Sequence, residues 1–327
     1  MKNDDAQAPV SVIIPAYNIS KYITYTIDSL IGQSVKPYEI IIIDDGSTDN
    51  TSDIIIDTYK NNKIIKIFYQ PNRGAGEAKN YGISLAKADY IYCCDSDDVV
   101  LPGFFEEFKK RLQDNNGLDM FCISTELFYE DGVKEVKINH ARSGWVDSGK
   151  NVFIDCILRD NYTAASWSYI LKRKVVVDNN LKFFGRVHED LSFTMSAYFA
   201  SNEVFRTKNI FYSQRARKGS LTRSKNNIDF VKNRIEAFNA TLDILEKIGE
   251  HEDSRIKFVK AKYINRSLMS LVDMCIDFNM FLPDIVSKHI REFKYAPSTS
   301  LKEKLLLKNP ALFFVLKKAY ALLKQHN

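Results

Sequence analysis

The N-terminal hundred residues alternate short β-branched runs with segments of helical periodicity, and this alternation restricts the chain to few folds. Residues 10–15 and 39–43 are typical of buried parallel strands, and residues 22–31 between them carry apolar side chains at helical spacing. The cycle repeats, with further strands predicted at residues 64–69 and 90–94. The pattern predicts an α/β fold with a central, mostly parallel sheet.

The pattern of predicted secondary structure changes twice in the rest of the chain. Residues 101–225 are less regular, with a strand predicted at residues 119–124 and a helix beginning near Asp190. After about Asn226 the pattern is helical almost to the end. We therefore expect one domain over residues 1–225, made of halves 1–100 and 101–225, followed by a C-terminal helical region over residues 226–327.

The first residues and the cysteines indicate a cytoplasmic protein. The start of the chain is polar and acidic and has no apolar segment of the kind found in a signal peptide or a spanning helix. The five cysteines are odd in number and show no C-x-x-C spacing, which argues against a disulfide framework or a zinc cluster. We expect the cysteines to be small buried apolar residues.

The formal net charge of +5 is concentrated at the C-terminus. Residues 301–327 contain six lysines and a single acid, Glu303, so the remainder of the chain is close to neutral. No basic stripe interleaved with aromatic residues and no zinc-finger spacing is found elsewhere in the sequence. The sequence therefore does not support a nucleic-acid partner.

The motif Asp95-Ser96-Asp97-Asp98 follows directly after the predicted strand at residues 90–94. Three carboxylates within four positions repel one another and need a compensating cation, and their hard oxygen atoms suit Mg²⁺ or Mn²⁺. An acidic, solvated turn is the alternative explanation. The motif alone does not decide between the two.

Three further polar motifs also follow predicted strands, where ligands bind in open α/β sheets. Residues 44–49 (DDGSTD) offer carboxylates or a helix cap, and residues 15–18 (PAYN) offer an aromatic ring and an amide for a nucleobase. Residues 72–80 bring glycines together with two cations, Arg73 and Lys79. Each motif by itself also fits an ordinary loop.

The four motifs, in this order and each at a strand end, resemble the family 2 glycosyltransferases, which have the GT-A fold. Residues 167–173 are similar to the W-x-x-x-x-x-R segment of that family, and residues 184–191 are similar to its E-D motif. Residues 212–217 resemble the Tyr-x-x-Arg-x-Arg loop of capsule and O-antigen enzymes. The resemblance covers roughly residues 10 to 225.

The resemblance implies a nucleotide-sugar donor, usually a UDP-sugar, and Mn²⁺ or Mg²⁺ as cofactor. It assigns Asp190 as the general base and places Asp97 and Asp98 at the metal ion. The implied nucleotide-sugar contacts are Pro15, Tyr17, Asn18, Asp45, Arg73, Lys79, Asn80, Asp95, Ser96, Glu189, Arg215 and Arg217. Asp45 would accept a hydrogen bond from the base. Many relatives have Arg-Asn where this chain has Lys79-Asn80, so a bidentate contact at residue 79 is in question.

These roles are chemically coherent. Displacement at an anomeric carbon needs a base for the acceptor hydroxyl, which Asp190 would supply, and a group that accepts charge on the departing diphosphate. A metal ion held by Asp97, with Arg215 and Arg217, would stabilise that charge. With no second carboxylate placed as a nucleophile, direct attack would invert the anomeric configuration. The resemblance implies that the acceptor is a cell-surface polysaccharide or a lipid-linked oligosaccharide.

Other functional classes fit less well. A dinucleotide-binding oxidoreductase needs G-x-G-x-x-G after the first strand, where this chain has PAYN. A sugar nucleotidyltransferase would need a glycine-rich triphosphate loop there. The remaining alternative is a non-catalytic protein that binds a nucleotide sugar or scaffolds a glycan assembly complex, although Asp97 and Asp190 argue against it.

The C-terminal tail predicts an amphipathic helix that begins at Asn309-Pro310 and runs through Leu323. On a helical wheel Lys317, Lys318 and Lys324 fall within about 120°, which leaves a broad apolar face. The apolar residues of that face are Leu312, Phe313, Leu316, Tyr320 and Leu323. The helix either docks on anionic lipid at the inner face of the plasma membrane or packs within the protein or on a second subunit. The sequence leaves both interpretations open.

Overall fold

The computed structural model describes residues 7–216, 228–247, 254–294, 296–298 and 300–325. The chain divides into two compact units, Met1–Ser220 and Leu221–Asn327. The boundary expected after residue 225 falls within residues 217–227, which lie outside the described residues.

The N-terminal unit is built on a mixed sheet. Its strands are β1 (Gln7–Ala16), β2 (Lys36–Asp44), β3 (Ile65–Tyr69), β4 (Tyr90–Cys93), β5 (Val99–Val100), β6 (Met120–Tyr129), β7 (Lys134–Ile138), β8 (Gly144–Val146), β9 (Tyr169–Lys172) and β10 (Val204–Ala216). Their order is β3-β2-β1-β4-β9-β6-β10-β5, with β7 beside β6 and β8 beside β10. Strands β1 to β4, β6 and β10 all run in one direction, and β5, β7, β8 and β9 run in the opposite direction. The expected α/β fold with a mostly parallel central sheet is confirmed.

Helices cover the sheet. They are α1 (Ile23–Ile31), α2 (Thr51–Tyr59), α3 (Ala75–Leu85), α4 (Phe104–Asp114), α5 (Gly149–Leu158), α6 (Arg173–Asp178) and α7 (Asp190–Ala200), and a short 3-10 turn spans Ser166–Ser168. The central strands are buried on both faces, which explains their continuous β-branched runs. The five cysteines are buried, as expected.

The C-terminal unit is helical in all its described elements. These are α8 (Ile228–Lys247), α9 (Ser254–Asp277), α10 (Asp284–Glu292), α11 (Leu301–Lys308) and α12 (Pro310–Gln325). The side chain of Asn309 accepts a 3.0 Å hydrogen bond from the amide of Leu312, so Asn309 caps α12 as the sequence predicted. Among the described residues, no helix is both long enough and apolar enough to span a bilayer.

Helix α12 directs its described lysines toward its own unit. Lys317 forms a 2.5 Å ion pair with Asp273 of α9, and Lys318 lies 5.7 Å from the ring centre of Phe281. Phe313 is buried, which corrects its expected place on the free apolar face. The exposed apolar residues are Leu312, Val315, Leu316, Tyr320, Leu322 and Leu323. The side chain of Lys324 lies outside the described part of the chain.

Candidate active site

The carboxyl ends of the parallel strands bring the predicted motifs to one edge of the sheet. The amide of Asp45 donates to the carbonyl of Ala16 at 2.8 Å, and the amide of Cys94 donates to the carbonyl of Ile13 at 2.9 Å. Residues that follow β1, β2 and β4 are therefore neighbours in space, although they lie up to about eighty positions apart in sequence. This edge is the crevice in which open α/β sheets bind ligands.

Asn18 joins the loops that follow β1 and β2. It adopts a left-handed conformation with φ of 49°, which asparagine tolerates better than most residues. Its side-chain oxygen accepts hydrogen bonds from the amides of Thr48 at 2.8 Å and Asp49 at 3.3 Å. Asn18 thus shapes this edge, while the neighbouring Tyr17 is 48% exposed and Pro15 is half-buried.

Asp45 connects β2 to the loop that follows β3. Its carboxylate accepts hydrogen bonds from the amides of Arg73 and Gly74, both at 2.8 Å, and from Nε2 of Gln70 at 2.7 Å. A carboxylate has about four acceptor positions, so these three bonds leave room for one more. Arg73 is held here by its backbone, and its side chain is exposed.

Asp95 is surrounded by other carboxylates. Burial and the negative charges of Asp190, Asp97 and Glu189, opposed by the positive charge of Lys79, together raise the pKa of Asp95 to about 7. Asp95, Ser96 and Asp97 are all half-buried at the crevice. Since repulsion between carboxylates is relieved by a cation, the loop is suited to hold one.

Asp98 is directed into the protein interior. It is 1% exposed, and its two carboxylate oxygens accept hydrogen bonds from the hydroxyl of Tyr212 at 2.6 Å and the amide of Arg215 at 2.7 Å. Burial, with the charges of Asp95 and Asp97, raises the pKa of Asp98 well above its usual value. These contacts show that Asp98 anchors the loop, and its expected place at the metal ion stays a prediction.

Arg215 supports the same loop from β10. Its Nε donates to the carbonyl of Asp97 at 2.9 Å. Its guanidinium lies 4.6 Å from the ring centre of Phe128 and 5.1 Å from that of Tyr22, within the range of cation–π attraction. Arg215 therefore holds the Asp97 backbone at the crevice. Arg217, also predicted at this site, lies outside the described residues.

Lys79 contacts two carboxylates of the protein, where the resemblance implied a contact with the nucleotide sugar. Its side chain is 2% exposed, and its Nζ lies 2.7 Å from Oδ1 of Asp190 and 3.0 Å from Oε1 of Glu189. Burial by itself lowers the pKa of the ammonium, but the charges of Asp190 and Glu189 outweigh burial and hold the pKa well above its usual value. Motif spacing does not show which way a helical side chain points, so these two ion pairs could not be predicted from the sequence.

Asn80 has a structural contact instead of the expected donor contact. Its Nδ2 donates to the carbonyl of Phe183 at 2.9 Å, and its Oδ1 accepts from the amide of the same residue at 2.9 Å. The amide group is thereby committed to the backbone at residue 183. Asn80 fastens α3 to the segment that leads to Glu189 and Asp190.

Two glycines allow that segment to approach the start of α3. A Cβ on Gly74, whose φ is +97°, would lie 3.2 Å from Cα of Arg186. A Cβ on Gly76 would lie 2.9 Å from the carbonyl oxygen of Gly185. Both distances are shorter than normal contacts, so the N-x-G motif sets how closely the loop with Asp190 packs on α3.

The carboxylates of Asp95 and Asp97 are suited to a divalent ion that is also bound by a substrate. No group of three or more histidine, cysteine, aspartate or glutamate side chains in the described ranges is arranged to hold a metal ion alone. Mg²⁺ in phosphate-binding sites is usually held by one or two carboxylates together with substrate phosphates. Asp97 and Asp95 supply this kind of incomplete oxygen set.

Comparison with known proteins decides the family. The sequence profile named glycosyl transferase family 2 matches residues 11–179, which is more than half of the chain. The chain belongs to this family of glycosyltransferases. The matched segment contains the motifs after β1 to β4 and ends before Asp190 and Arg215, whose placement at the crevice comes from the tertiary contacts described above.

Curated relatives are consistent with membership of glycosyl transferase family 2. The uncharacterized glycosyltransferase YibD of Escherichia coli K12 is 29% identical over 255 residues, covering 76% of this chain and 73% of YibD. The chondroitin synthase of Pasteurella multocida is 44% identical over 117 residues, covering 36% of this chain and 12% of the synthase. The match thus covers about a third of this chain and a small part of that synthase.

Solved structures show the same fold. The crystal structure of residues 1–349 of Staphylococcus aureus TarS in complex with UDP-GlcNAc superposes with a TM-score of 0.68 at 21% identity, covering 95% of this chain and 91% of that one. At this identity the likeness shows the fold alone. It supports the expected GT-A architecture for this family 2 chain.

Tyr212 and Trp167 are site residues whose part the motifs did not reveal. Their rings stack with centres 4.7 Å apart and planes within 8°, and the Tyr212 hydroxyl reaches Asp98. Trp167 was recognised only as part of a family segment, and Tyr212 only as part of the loop motif. The spacing of an aromatic residue indicates that it is buried but not which loop it supports.

Proposed function

We propose that this chain is a metal-dependent, inverting glycosyltransferase that moves a hexosyl or N-acetylhexosaminyl unit from a nucleotide sugar, a UDP-sugar, to a hydroxyl group. The acceptor is a cell-surface polysaccharide or a lipid-linked oligosaccharide. The observation that carries the proposal is the meeting of the Asp95–Asp97 loop with the Lys79–Glu189–Asp190 cluster at one edge of the sheet.

The proposed chemistry follows from the Asp95–Asp97 loop and from Asp190. Asp190 accepts the proton of the acceptor hydroxyl, and the acceptor oxygen forms a bond to the anomeric carbon. The bond from that carbon to the phosphate oxygen breaks, and its electron pair leaves with the nucleoside diphosphate. Attack from the face opposite the leaving group inverts the anomeric configuration.

Asp97, with Asp95 beside it, would hold Mn²⁺ or Mg²⁺ together with the donor diphosphate. When bound, the ion supplies Lewis-acid stabilisation of the charge on the departing diphosphate. Asp97 is kept at the crevice by the bond from Arg215 to its carbonyl. The remaining acceptor position on Asp45 suits an N–H donor such as that of uracil.

The choice of donor and acceptor classes rests on relatives. A solved protein of the same fold is described in complex with UDP-GlcNAc, and a relative that is 44% identical over 117 residues is a chondroitin synthase. Pro15, Tyr17 and Asn18 line the edge where a base would stack, with Arg73 and Ser96 nearby on the adjoining loops. These residues support a nucleotide-sugar site and leave the sugar itself open.

The proposal is tested by hydrolysis of a panel of UDP-, GDP- and dTDP-sugars by purified protein with Mn²⁺. We expect release of UDP from one or two sugars, and we expect the release to stop on chelation and in Asp97→Ala. The matched control is Asp178→Ala, which removes an exposed carboxylate on α6. Product stereochemistry, read by proton NMR with an accepted sugar acceptor, tests inversion.

A negative result has a defined meaning. If no donor is hydrolysed and calorimetry detects no nucleotide binding, the donor site is refuted and a scaffold in a glycan assembly complex becomes the better assignment. If a nucleotide sugar binds and is never consumed, the chain is a non-catalytic binding protein.

We also propose that α12 contacts an anionic membrane surface from the cytoplasmic side. Six apolar side chains along this helix are 45% to 67% exposed. Residues 281–325 contain nine lysines and arginines and only three acidic residues. An apolar strip within a cationic segment matches the interfacial region of a bilayer that contains acidic lipids, where a lipid-linked acceptor would be presented.

A further inference from the structure

The buried cation of the site, Lys79, contacts carboxylates of the protein and not solvent. Its Nζ donates to Asp190 and Glu189 and lies 5.1 Å from the ring centre of Phe183. The side chain of Lys79 is 2% exposed, and the described contacts of its ammonium are all with protein groups. Any effect of Lys79 on sugar transfer must therefore pass through the residues that it touches.

Asp190 is oriented at both of its oxygens. Oδ1 accepts from Lys79 at 2.7 Å, and Oδ2 accepts from the amide of Ser166 at 3.2 Å. The residue is also the first of α7, so its backbone is fixed by the helix. Two bonds from different directions set the plane of the carboxylate and leave other lone pairs for an incoming hydroxyl.

The charges around Asp190 are unbalanced without Lys79. Titratable groups facing Asp190 come from four elements: Lys79 on α3, Glu189 before α7, Cys93 and Asp95 at the end of β4, and Tyr169 on β9. Burial raises the pKa of the Cys93 thiol to about 12 and that of Tyr169 well above its usual value, so both are neutral. Among the groups named here, all of them in the described part of the chain, Lys79 is the cation that faces the carboxylates of Asp190, Glu189 and Asp95.

We propose that Lys79 is a positioning residue for sugar transfer: it holds the Asp190 carboxylate in the orientation that proton abstraction from the acceptor hydroxyl requires. This inference rests on the proposed function, in which Asp190 is the base. Lys79 also connects two parts of the site, because α3 begins directly after the Gly74 loop that binds Asp45.

The test compares Lys79→Met, which keeps the length of the side chain and removes its charge, with Lys79→Arg, which keeps the charge. We expect Lys79→Met to lower kcat about 100-fold, of the order of a general-base contribution. We expect the acid limb of its activity–pH profile to move up by about one pH unit or more, because the variant lacks the positive charge 2.7 Å from the Asp190 carboxylate. UDP affinity should change less than about threefold, since the charge of Lys79 is paired with Asp190 and Glu189. Lys79→Arg should recover most of the activity and the native profile.

Glu189→Gln gives a second measurement with the lysine in place. This variant removes the negative charge of Glu189, so Lys79 pairs with Asp190 alone. The acid limb of the activity–pH profile should therefore move to lower pH, opposite to its movement in Lys79→Met. Circular dichroism of each variant is recorded first. If Lys79→Met does not fold, Glu189→Gln still tests the proposal. A structural role alone would not move the two pH limbs in opposite directions.

A readout independent of turnover separates this proposal from the function on which it rests. The carboxyl ¹³C signal of Asp190, assigned with Asp190→Asn, should titrate at higher pH in Lys79→Met than in the native protein even if no donor is hydrolysed. An unchanged Asp190 titration would overturn the inference. So would a loss of UDP affinity in Lys79→Met in proportion to kcat, which would place the lysine on the donor.

Discussion

The hydroxyl of Tyr212 donates a 2.6 Å hydrogen bond to Oδ2 of Asp98, and this bond ties β10 to the loop after β4. The residues are 114 positions apart. The amide of Arg215 completes the link by donating to Oδ1 of the same carboxylate. The loop with Asp95 and Asp97 is therefore held in place from the opposite half of the sheet.

Removal of that hydroxyl should loosen the loop. In Tyr212→Phe the stack on Trp167 is kept, but one oxygen of a buried carboxylate loses its donor, and we expect a loss of about 1–3 kcal/mol in the free energy of unfolding. Affinity for UDP with Mn²⁺ should fall as well. Urea unfolding and calorimetry measure the two effects.

Tyr59→Phe is the matched control for Tyr212→Phe. Tyr59 also donates to a carboxylate, Asp28, at 2.7 Å, but it lies at the end of α2, outside the crevice. Loss of the Tyr59 hydroxyl should lower the free energy of unfolding and leave the affinity for UDP unchanged. Equal losses of affinity in the two variants would contradict the proposed anchoring of the loop.

Gly74→Ala should impair the site through crowding. The added Cβ would lie 3.2 Å from Cα of Arg186 and displace the segment that leads to Asp190. Gly132→Ala is the control, because Gly132 also has a positive φ, +89°, yet a Cβ there meets nothing within 4 Å. Both variants should lose about 1 kcal/mol or more of stability from backbone strain, and only Gly74→Ala should lose most donor hydrolysis. Similar activities for the two variants would show that the close approach is unimportant.

His140 should make stability depend on pH between about 6.5 and 4. Burial, reinforced by the charge of Arg206, lowers the pKa of this 3% exposed histidine from 6.5 to about 4. The unfolded state therefore binds the proton first as pH falls. The stabilisation is complete above pH 6.5 and is lost as pH falls toward 4, by up to about 3 kcal/mol.

The His140 prediction is checked by the pH dependence of Tm in the native protein and in His140→Gln. The variant lacks the titrating group, so its Tm should fall less steeply over this interval. The difference between the two proteins is the useful quantity, because the raised pKa of Asp95 acts in the opposite sense in both. Parallel curves would show that His140 is not buried in its neutral form.

The proposed membrane contact of α12 predicts sedimentation with vesicles that contain about one third phosphatidylglycerol. Leu316→Glu and Leu323→Glu place charges on residues that are 53% and 67% exposed, so binding should fall at least about tenfold while folding is retained. Val177→Glu, at a 63% exposed residue of α6, should bind like the native protein. Binding that is equal in all variants, or absent in the native protein, would contradict the proposal.

Much of the fold of residues 1–100 could be predicted, because the sequence patterns that indicate its strands and helices are local. Strands β1 to β4 lie where β-branched runs predicted them, and Asn309 caps α12. Strand β10 was not predicted as a continuous strand. Its polar residues and two register shifts against β6 hide the period-two pattern. Its parallel partner is also more than eighty positions away, and such pairing leaves no trace in a local window.

The sequence by itself determined the α/β alternation and the position of each polar motif at a strand end, since both follow from local periodicity and from the turn chemistry of a few residues. Only the tertiary structure decided what individual side chains do: Asp98 and Asn80 anchor the backbone, and Lys79 faces Asp190. The physical reason is that burial and the choice of partner decide whether a carboxylate or an ammonium binds a ligand or supports the fold, and both depend on residues brought together from distant parts of the chain.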